Sequence, residues 1–337
     1  MKRRILTCVA AALTMLILIL DAKTALAGAA EGVQLCIQVV IPSLLPLFFL
    51  SIFLTDAISN ISAGFFSPLG RFCRIPGNAQ ALLIIGLLGG YPTGAQSVAE
   101  ACRAGRLSAQ EGKRLLGFCS NAGPAFIFAM GATQFHDPTI PMILWLIHIL
   151  SALLTARLLP PTPGVEARLS ENQNRVSPTA AMGKTLRVLG FVCGWVILFR
   201  VLLTFADRWL LWYFSQEMRT AIHIFLELAN GCAELDRISN EGLRLMLFSA
   251  GLGFGGICVL MQTVSVTGTL GLGMYLPGKL IQCTLSLLLT WIWQRFTFTD
   301  PVKSVIILPV AVVSVVGTMV FLHKSEKRGR NSAVLRV

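Results

Sequence analysis

Two stretches of this chain, 130 residues apart, carry the same register. The segment from Glu111 through Arg114 and Leu115 to Ile127 aligns with Glu241 through Arg244 and Leu245 to Ile257. Seven of the 17 positions are identical, where average composition gives about one. Cys102 and Cys232 extend the register. Each copy begins with a charged, amphipathic turn, continues as an apolar helix and is then interrupted by small residues. These are Ser120, Asn121 and Gly123 in the first copy, and Gly251 and Gly253 in the second. A break inside a membrane survives only where protein or water satisfies the freed backbone groups. Paired breaks in internal repeats are also how secondary transporters assemble a substrate site. The expected fold class is therefore all-α: a polytopic membrane protein with two inverted repeats, each with a re-entrant segment and a broken transmembrane helix.

Composition agrees with a lipid environment. Hydrophobic residues make up 55% of the chain and charged residues only 13%, about half the charged share of a soluble domain. Nine cysteines and four histidines are dispersed, without a CxxC pair or a metal-binding run, so no metal and no cofactor is expected. There is no HExxH, GxSxG or P-loop, and the chain does not read as an enzyme.

Apolar runs of about 20 residues mark spans. They lie at Ile5 to Leu20, Val33 to Thr55, Ile140 to Leu159, Thr185 to Ala206, Leu276 to Trp293 and Val305 to Leu322. The broken helices run from about Lys113 to Gly131 and from Leu243 to Thr263. Ala79 to Ala95 and Trp209 to Gly231 read as re-entrant or interfacial elements preceding them. With the N-terminus inside, 20 of the 28 basic residues fall on the same side, Lys279 among them, while Arg200 lies within a span. This is the positive-inside bias, and it sets the first broken helix running outward and the second inward. The net charge of +12 follows from that bias and from anionic lipid contact, so no nucleic-acid partner is implied. The divisions are an N-terminal span (1–32), a first repeat (33–159), a cytoplasmic linker (160–183), a second, inverted repeat (184–296), and a final span with a basic tail (297–337). The start has two readings. Lys2-Arg3-Arg4, an apolar run and Ala25-Leu26-Ala27 resemble a cleavable signal peptide; a retained first span keeps the linker and the tail on one side, and is the preferred reading.

Several motifs in order carry a family resemblance. They are Gly32-Val33-Gln34, Ile41-Pro42-Ser43-Leu44-Leu45-Pro46, Gly89-Gly90-Tyr91-Pro92-Thr93-Gly94, Asn121-Ala122-Gly123-Pro124 and Leu226-Glu227-Leu228-Ala229-Asn230-Gly231. Together they resemble the sporulation integral membrane proteins of the nucleoside-recognition, or Gate, domain group, over about residues 30 to 322. The resemblance implies an endospore-forming bacterium, distant kinship with concentrative nucleoside transporters, and movement of dipicolinic acid across the outer forespore membrane. Gly-Gly-Tyr-Pro-Thr-Gly stands where those transporters carry Gln and Glu, which weakens the case for nucleosides.

The candidate substrate-binding residues are Tyr91, Thr93, Gly94, Ser120, Asn121, Gly123, Glu227, Asn230, Gly251 and Gly253. Each also has a plainer reading. Asn121 can cap exposed carbonyls, residues 89 to 94 can form a tight turn, and Glu227 with Asn230 can be a solvated i, i+3 pair. Glu111 and Glu241 are expected to pair with Arg114 and Arg244 at the helix entries. Buried fixed charge is costly at membrane depth, so the expected anion site is neutral, built from half-helix N–H groups with Ser120, Asn121 and Thr93. The expected partners are a small anionic substrate and the lipid bilayer, with a homo-oligomer left open. The alternatives are a nucleoside or other small-metabolite transporter, and a non-transporting scaffold for spore morphogenesis.

Overall fold

The computed structural model describes residues 2–59, 67–162 and 177–297, and every regular element among them is helical. The expected span at 305–322, the basic tail and positions 163–176 of the linker lie outside the described residues.

The chain opens with α1 (Lys2–Leu20) and α2 (Ala22–Leu35), which passes through a π-helical turn at Cys36–Val40 into α3 (Ile41–Ser59). The first hairpin, α5 (Gln80–Gly89) and α6 (Thr93–Arg103), follows the short α4 (Ser67–Cys73). Then come α7 (Ala109–Leu115), α8 (Pro124–Gln134), α9 (Ile140–Leu158) and α10 (Pro178–Trp209). A second hairpin, α11 (Gln216–Leu226) and the short α12 (Leu228–Ala233), precedes α13 (Glu241–Phe254), α14 (Gly256–Thr267) and α15 (Tyr275–Thr297). Among the described residues, four segments are long and apolar enough to cross a membrane: Ala22–Phe53, Ile140–Leu158, Pro178–Trp209 and Glu241–Leu270. The protein is an integral membrane protein.

The helix expected from Val33 instead starts at Ala22, so the boundary at 32 falls inside continuous helix. The cause is packing. Gly28 and Gly32 sit one turn apart against α10, where a Cβ would lie 3.0 Å from the Val201 Cα and 2.9 Å from the Ile197 Cα. Small residues at this spacing let two helix backbones close on each other in lipid. Glu31 adds an ion pair to Arg200, and Arg208 donates to the Thr24 hydroxyl at 2.8 Å.

The two interrupted helices run in opposite directions. The end of α8 lies beside the start of α13, since Arg244 donates to the Gln134 carbonyl at 3.0 Å. At the other end, the Met274 N–H beyond α14 donates to the Lys113 carbonyl of α7 at 2.8 Å. The interruptions differ in form. Between α7 and α8 the chain is irregular from Leu116 to Gly123. Between α13 and α14 it turns at Gly255 and Gly256, with φ of 87° and 84°, values open to glycine without steric cost. Gly251 and Gly253 therefore lie within α13 and not at the break. Gly251 faces Ile224 and Leu228, and a Cβ on Gly253 would come 2.8 Å from the Cys283 Cα.

The helix entries also depart from expectation. Glu111 forms a capping box with Ser108, the reciprocal bond pattern that satisfies two orphan N–H groups. Arg114 donates to four backbone carbonyls instead, and Arg244 to Gln134. Local spacing permits the acid–base pairs, but the tertiary acceptors win. Lys279, counted with the inside basic residues, is not at the surface. It is 0% exposed on α15, in a line with the buried residues Gln282, Ser286 and Thr290, whose spacing of three and four is one helical face.

Candidate functional site

The tip of the first hairpin is Gly90-Tyr91-Pro92, with Gly90 at φ 78°. It rests on the first break: a Cβ at Gly90 would lie 3.1 Å from the Gly123 nitrogen. The tip of the second hairpin rests on the second break, where a Cβ at Gly256 would lie 3.2 Å from the Ile224 carbonyl and 3.4 Å from that of Leu226. The tips also cross over. Tyr91 donates its hydroxyl to the Leu252 carbonyl in the last turn of α13, at 3.0 Å.

Both tips, the first break and α14 just past the second break line a cavity of about 50 Å³. Its walls are Tyr91, Ala122 and Gly123 from the first hairpin tip and break, Glu227, Leu228 and Ala229 from the second tip, and Val259 and Gln262 beyond the second break. Val40, Ser43, Leu44, Phe126, Val192 and Val196 complete an otherwise mostly apolar lining. Tyr91, Gly123 and Glu227, expected as site residues, line it. Glu227 is 2% exposed and caps α12, accepting from Ala229 N at 3.2 Å, from Asn230 N at 2.6 Å and from Asn230 Nδ2 at 2.6 Å. Glu227 and Asn230 are thus a buried cap, not a solvated pair, and the three donors offset the carboxylate charge.

Thr93, Gly94, Ser120 and Asn121 surround the first break without lining the cavity, and Asn230, Gly251 and Gly253 lie outside its lining in the second copy. Gly94 packs on the Cys119 carbonyl, where a Cβ would have no room. Thr93 Oγ1 and Ser120 Oγ are buried hydroxyls without a hydrogen-bond partner. Asn121 is committed to protein: its Nδ2 donates to the Phe118 carbonyl at 2.7 Å and its Oδ1 accepts from Gln282 Nε2 at 2.9 Å. The neighbouring Ala122 N–H donates to His148 Nε2 at 3.1 Å, which places the ring proton on Nδ1. The irregular segment survives because side chains replace its helical bonds.

Lys279 is the residue that sequence reading missed. Its Nζ donates to the Ser120 carbonyl, to Gln282 Oε1 at 2.7 Å and to the Tyr91 hydroxyl at 3.3 Å. The proton directions can be assigned in turn. Phe118 O accepts only, so the Asn121 amide presents nitrogen to it and oxygen to Gln282. Gln282 then presents its own oxygen to Lys279. Tyr91 spends its proton on Leu252 O and can only accept from Lys279. Lys279 thus presents its Nζ to three neutral oxygens. Among the described residues it has no acidic partner; the Tyr91 and Tyr275 rings lie 5.1 and 5.9 Å from Nζ, within cation–π range. A buried titratable side chain therefore stands beside the first break, where the sequence pointed to neutral groups alone.

A second polar group anchors the α11–α12 hairpin. His223, between Asp207 Oδ1 at 3.0 Å and Glu234 Oε2 at 2.8 Å, is linked through Glu234 to Arg200 at 3.5 Å. A ring nitrogen facing a carboxylate oxygen on each side acts as a donor on both. Sequence dispersion of the histidines concealed this cluster. It holds no metal-binding group of three donors among the described residues.

The chain is similar to "Sporulation integral membrane protein YlbJ" of Bacillus subtilis (strain 168), with 32% identity over 125 residues. The match covers 36% of this chain and 31% of that protein, so it spans about a third of the curated relative. No protein-family profile and no solved structure matches the chain.

Proposed function

We propose that this protein is a membrane transporter of a small organic anion, with dipicolinic acid the leading cargo, acting in sporulation at the outer forespore membrane. One observation carries the reading: both hairpin tips, the first helix interruption and α14 just beyond the second interruption line one cavity. The opposite running of α7–α8 and α13–α14 supports an inverted repeat, and the hairpins fit re-entrant elements, the construction that permits alternating access. The similarity to a sporulation membrane protein supports the setting. At about 50 Å³ the cavity has room for a few waters and not for a pyridine dicarboxylate. Admission of such a cargo would require a hairpin tip to withdraw and enlarge the cavity.

The test is uptake of labelled dipicolinate into proteoliposomes containing the purified protein, beside spore dipicolinate content in a clean deletion strain. Uptake and dipicolinate-poor spores are expected; absence of uptake together with wild-type spore content refutes the assignment. If a neutral metabolite is carried instead, the Glu227 carboxylate and Gln262 amide in the wall are the groups that would recognise it. Thr93→Val gives a residue-level test. The change is nearly isosteric and deletes a buried hydroxyl with no protein partner, so a purely structural Thr93 makes it neutral or stabilising. Contact with cargo instead predicts about a tenfold fall in uptake, the equivalent of a lost hydrogen bond to a charged group, with an unchanged unfolding midpoint.

A further inference from the structure

We propose that Lys279 is the charge-selecting residue of the pathway: its ammonium is a tethered counter-charge that favours an anionic cargo over a neutral one of the same shape. The inference rests on the transport reading above and adds a residue that neither the repeat nor the motifs pointed to. Three observations carry it. The side chain is 0% exposed, and among the described residues its acceptors are all neutral, one carbonyl, one amide and one hydroxyl. By contrast Arg200, which is near the surface of the bundle, faces Glu31 and Glu234. An ammonium surrounded by neutral oxygens keeps its field, because no carboxylate cancels it, and in an apolar interior that field is weakly screened.

The second observation is position. Tyr91 both accepts from Lys279 and lines the cavity, and Ser120, whose carbonyl is another acceptor, stands two residues before Ala122 in the cavity wall. The charge is thus one side chain removed from the space cargo would occupy. The third is the state of the carboxylate across the cavity. Glu227 has its oxygens occupied by three N–H donors of its own hairpin, so it is engaged locally and is not a partner of Lys279. Two buried hydroxyls, Thr93 Oγ1 and Ser120 Oγ, remain unpartnered beside the tip and break that Lys279 holds. They supply neutral donors to a carboxylate drawn in by the ammonium. When the first tip withdraws with Tyr91, Lys279 loses one of its three acceptors, and a cargo carboxylate can take that place.

The experiment compares dipicolinate with its uncharged diamide in proteoliposomes. In the wild type, dipicolinate uptake should be inhibited by excess unlabelled dipicolinate and about tenfold more weakly by the diamide, a selectivity set by charge alone. Lys279→Met should remove about tenfold of dipicolinate uptake while leaving diamide uptake at or above its wild-type level. Tyr91→Phe, which deletes the acceptor linking the ammonium to the cavity, should lower the same ratio in the same direction. An equal fall of both substrates in Lys279→Met overturns the proposal, since that is the signature of a structural lysine. Equal competition by the diamide in the wild type overturns it too, without any variant having to fold. Absence of uptake of either compound by the wild type refutes the transport reading itself, an outcome distinct from uptake without charge preference.

Discussion

Gly94→Ala should cost the protein about 3 kcal/mol of stability or more, at the upper end of what overpacking costs, and should lower the yield of folded protein accordingly. A methyl group there would meet the Cys119 carbonyl and crowd the Gly86 Cα, and a methyl at Gly86 would meet the same carbonyl. The obstructing atoms are backbone in a segment whose neighbours are pinned by Asn121, Lys279 and His148, so there is no flexible side chain to swing aside. Gly190→Ala and Gly194→Ala in α10 supply the control. Nothing lies within 4 Å of a Cβ at either position, and both should be neutral or stabilising by about 0.5–1 kcal/mol through helix propensity. Thermal unfolding of the detergent-purified variants reads all three. A Gly94→Ala protein with a wild-type midpoint and impaired uptake would return Gly94 to the role of ligand contact and refute the packing account.

That contrast shows what linear sequence can convey about this site. Small residues at 89–94 and 120–123 marked the first hairpin tip and break correctly, because glycine and proline report locally on where a helix cannot continue. In the second copy, glycines at 251, 253, 255 and 256 offered several places for the turn. Composition alone could not choose among them. The choice is made by neighbours: the Cys283 backbone beside Gly253 and Ile224 beside Gly251 accept a straight helix there and leave positive φ to Gly255 and Gly256. Lys279 was illegible for a related reason. A lysine near the start of an apolar run reads as a membrane-surface residue, and its acceptors Tyr91 and Ser120 are 188 and 159 residues away. The available signal was the spacing of Lys279, Gln282, Ser286 and Thr290, a polar stripe along one face of an otherwise largely apolar helix. Such a stripe must face protein.

Arg114 is where local and tertiary reasoning diverge most, and it carries the second large expected effect. Its guanidinium donates from Nε to Pro160 O at 2.8 Å, from Nη1 to Arg74 O at 3.2 Å, and from Nη2 to Cys73 O at 2.9 Å and Ala156 O at 2.7 Å. These carbonyls belong to the C-terminal ends of α4 and α9, where the last turn of a helix lacks intrahelical donors. One side chain therefore closes two helix ends and fastens both to α7, immediately before the first break. It also lies 5.1 Å above the Phe118 ring. Arg114→Met keeps the length and the apolar stem but leaves four carbonyls without their donor. The expected loss is about 3–5 kcal/mol, the range for removing one member of a buried charged network. Arg114→Lys should recover only part of it, because an ammonium cannot reproduce the planar fork that reaches carbonyls on two helices at once. Thermal unfolding and protease resistance of the purified variants measure both changes. If pairing with Glu111 were the true role of Arg114, Arg114→Lys would match the wild type, and Glu111→Gln would destabilise the protein as much as Arg114→Met. The fork account predicts instead that Glu111→Gln costs about 1 kcal/mol, the worth of a cap, because Glu111 serves only the Ser108 capping box.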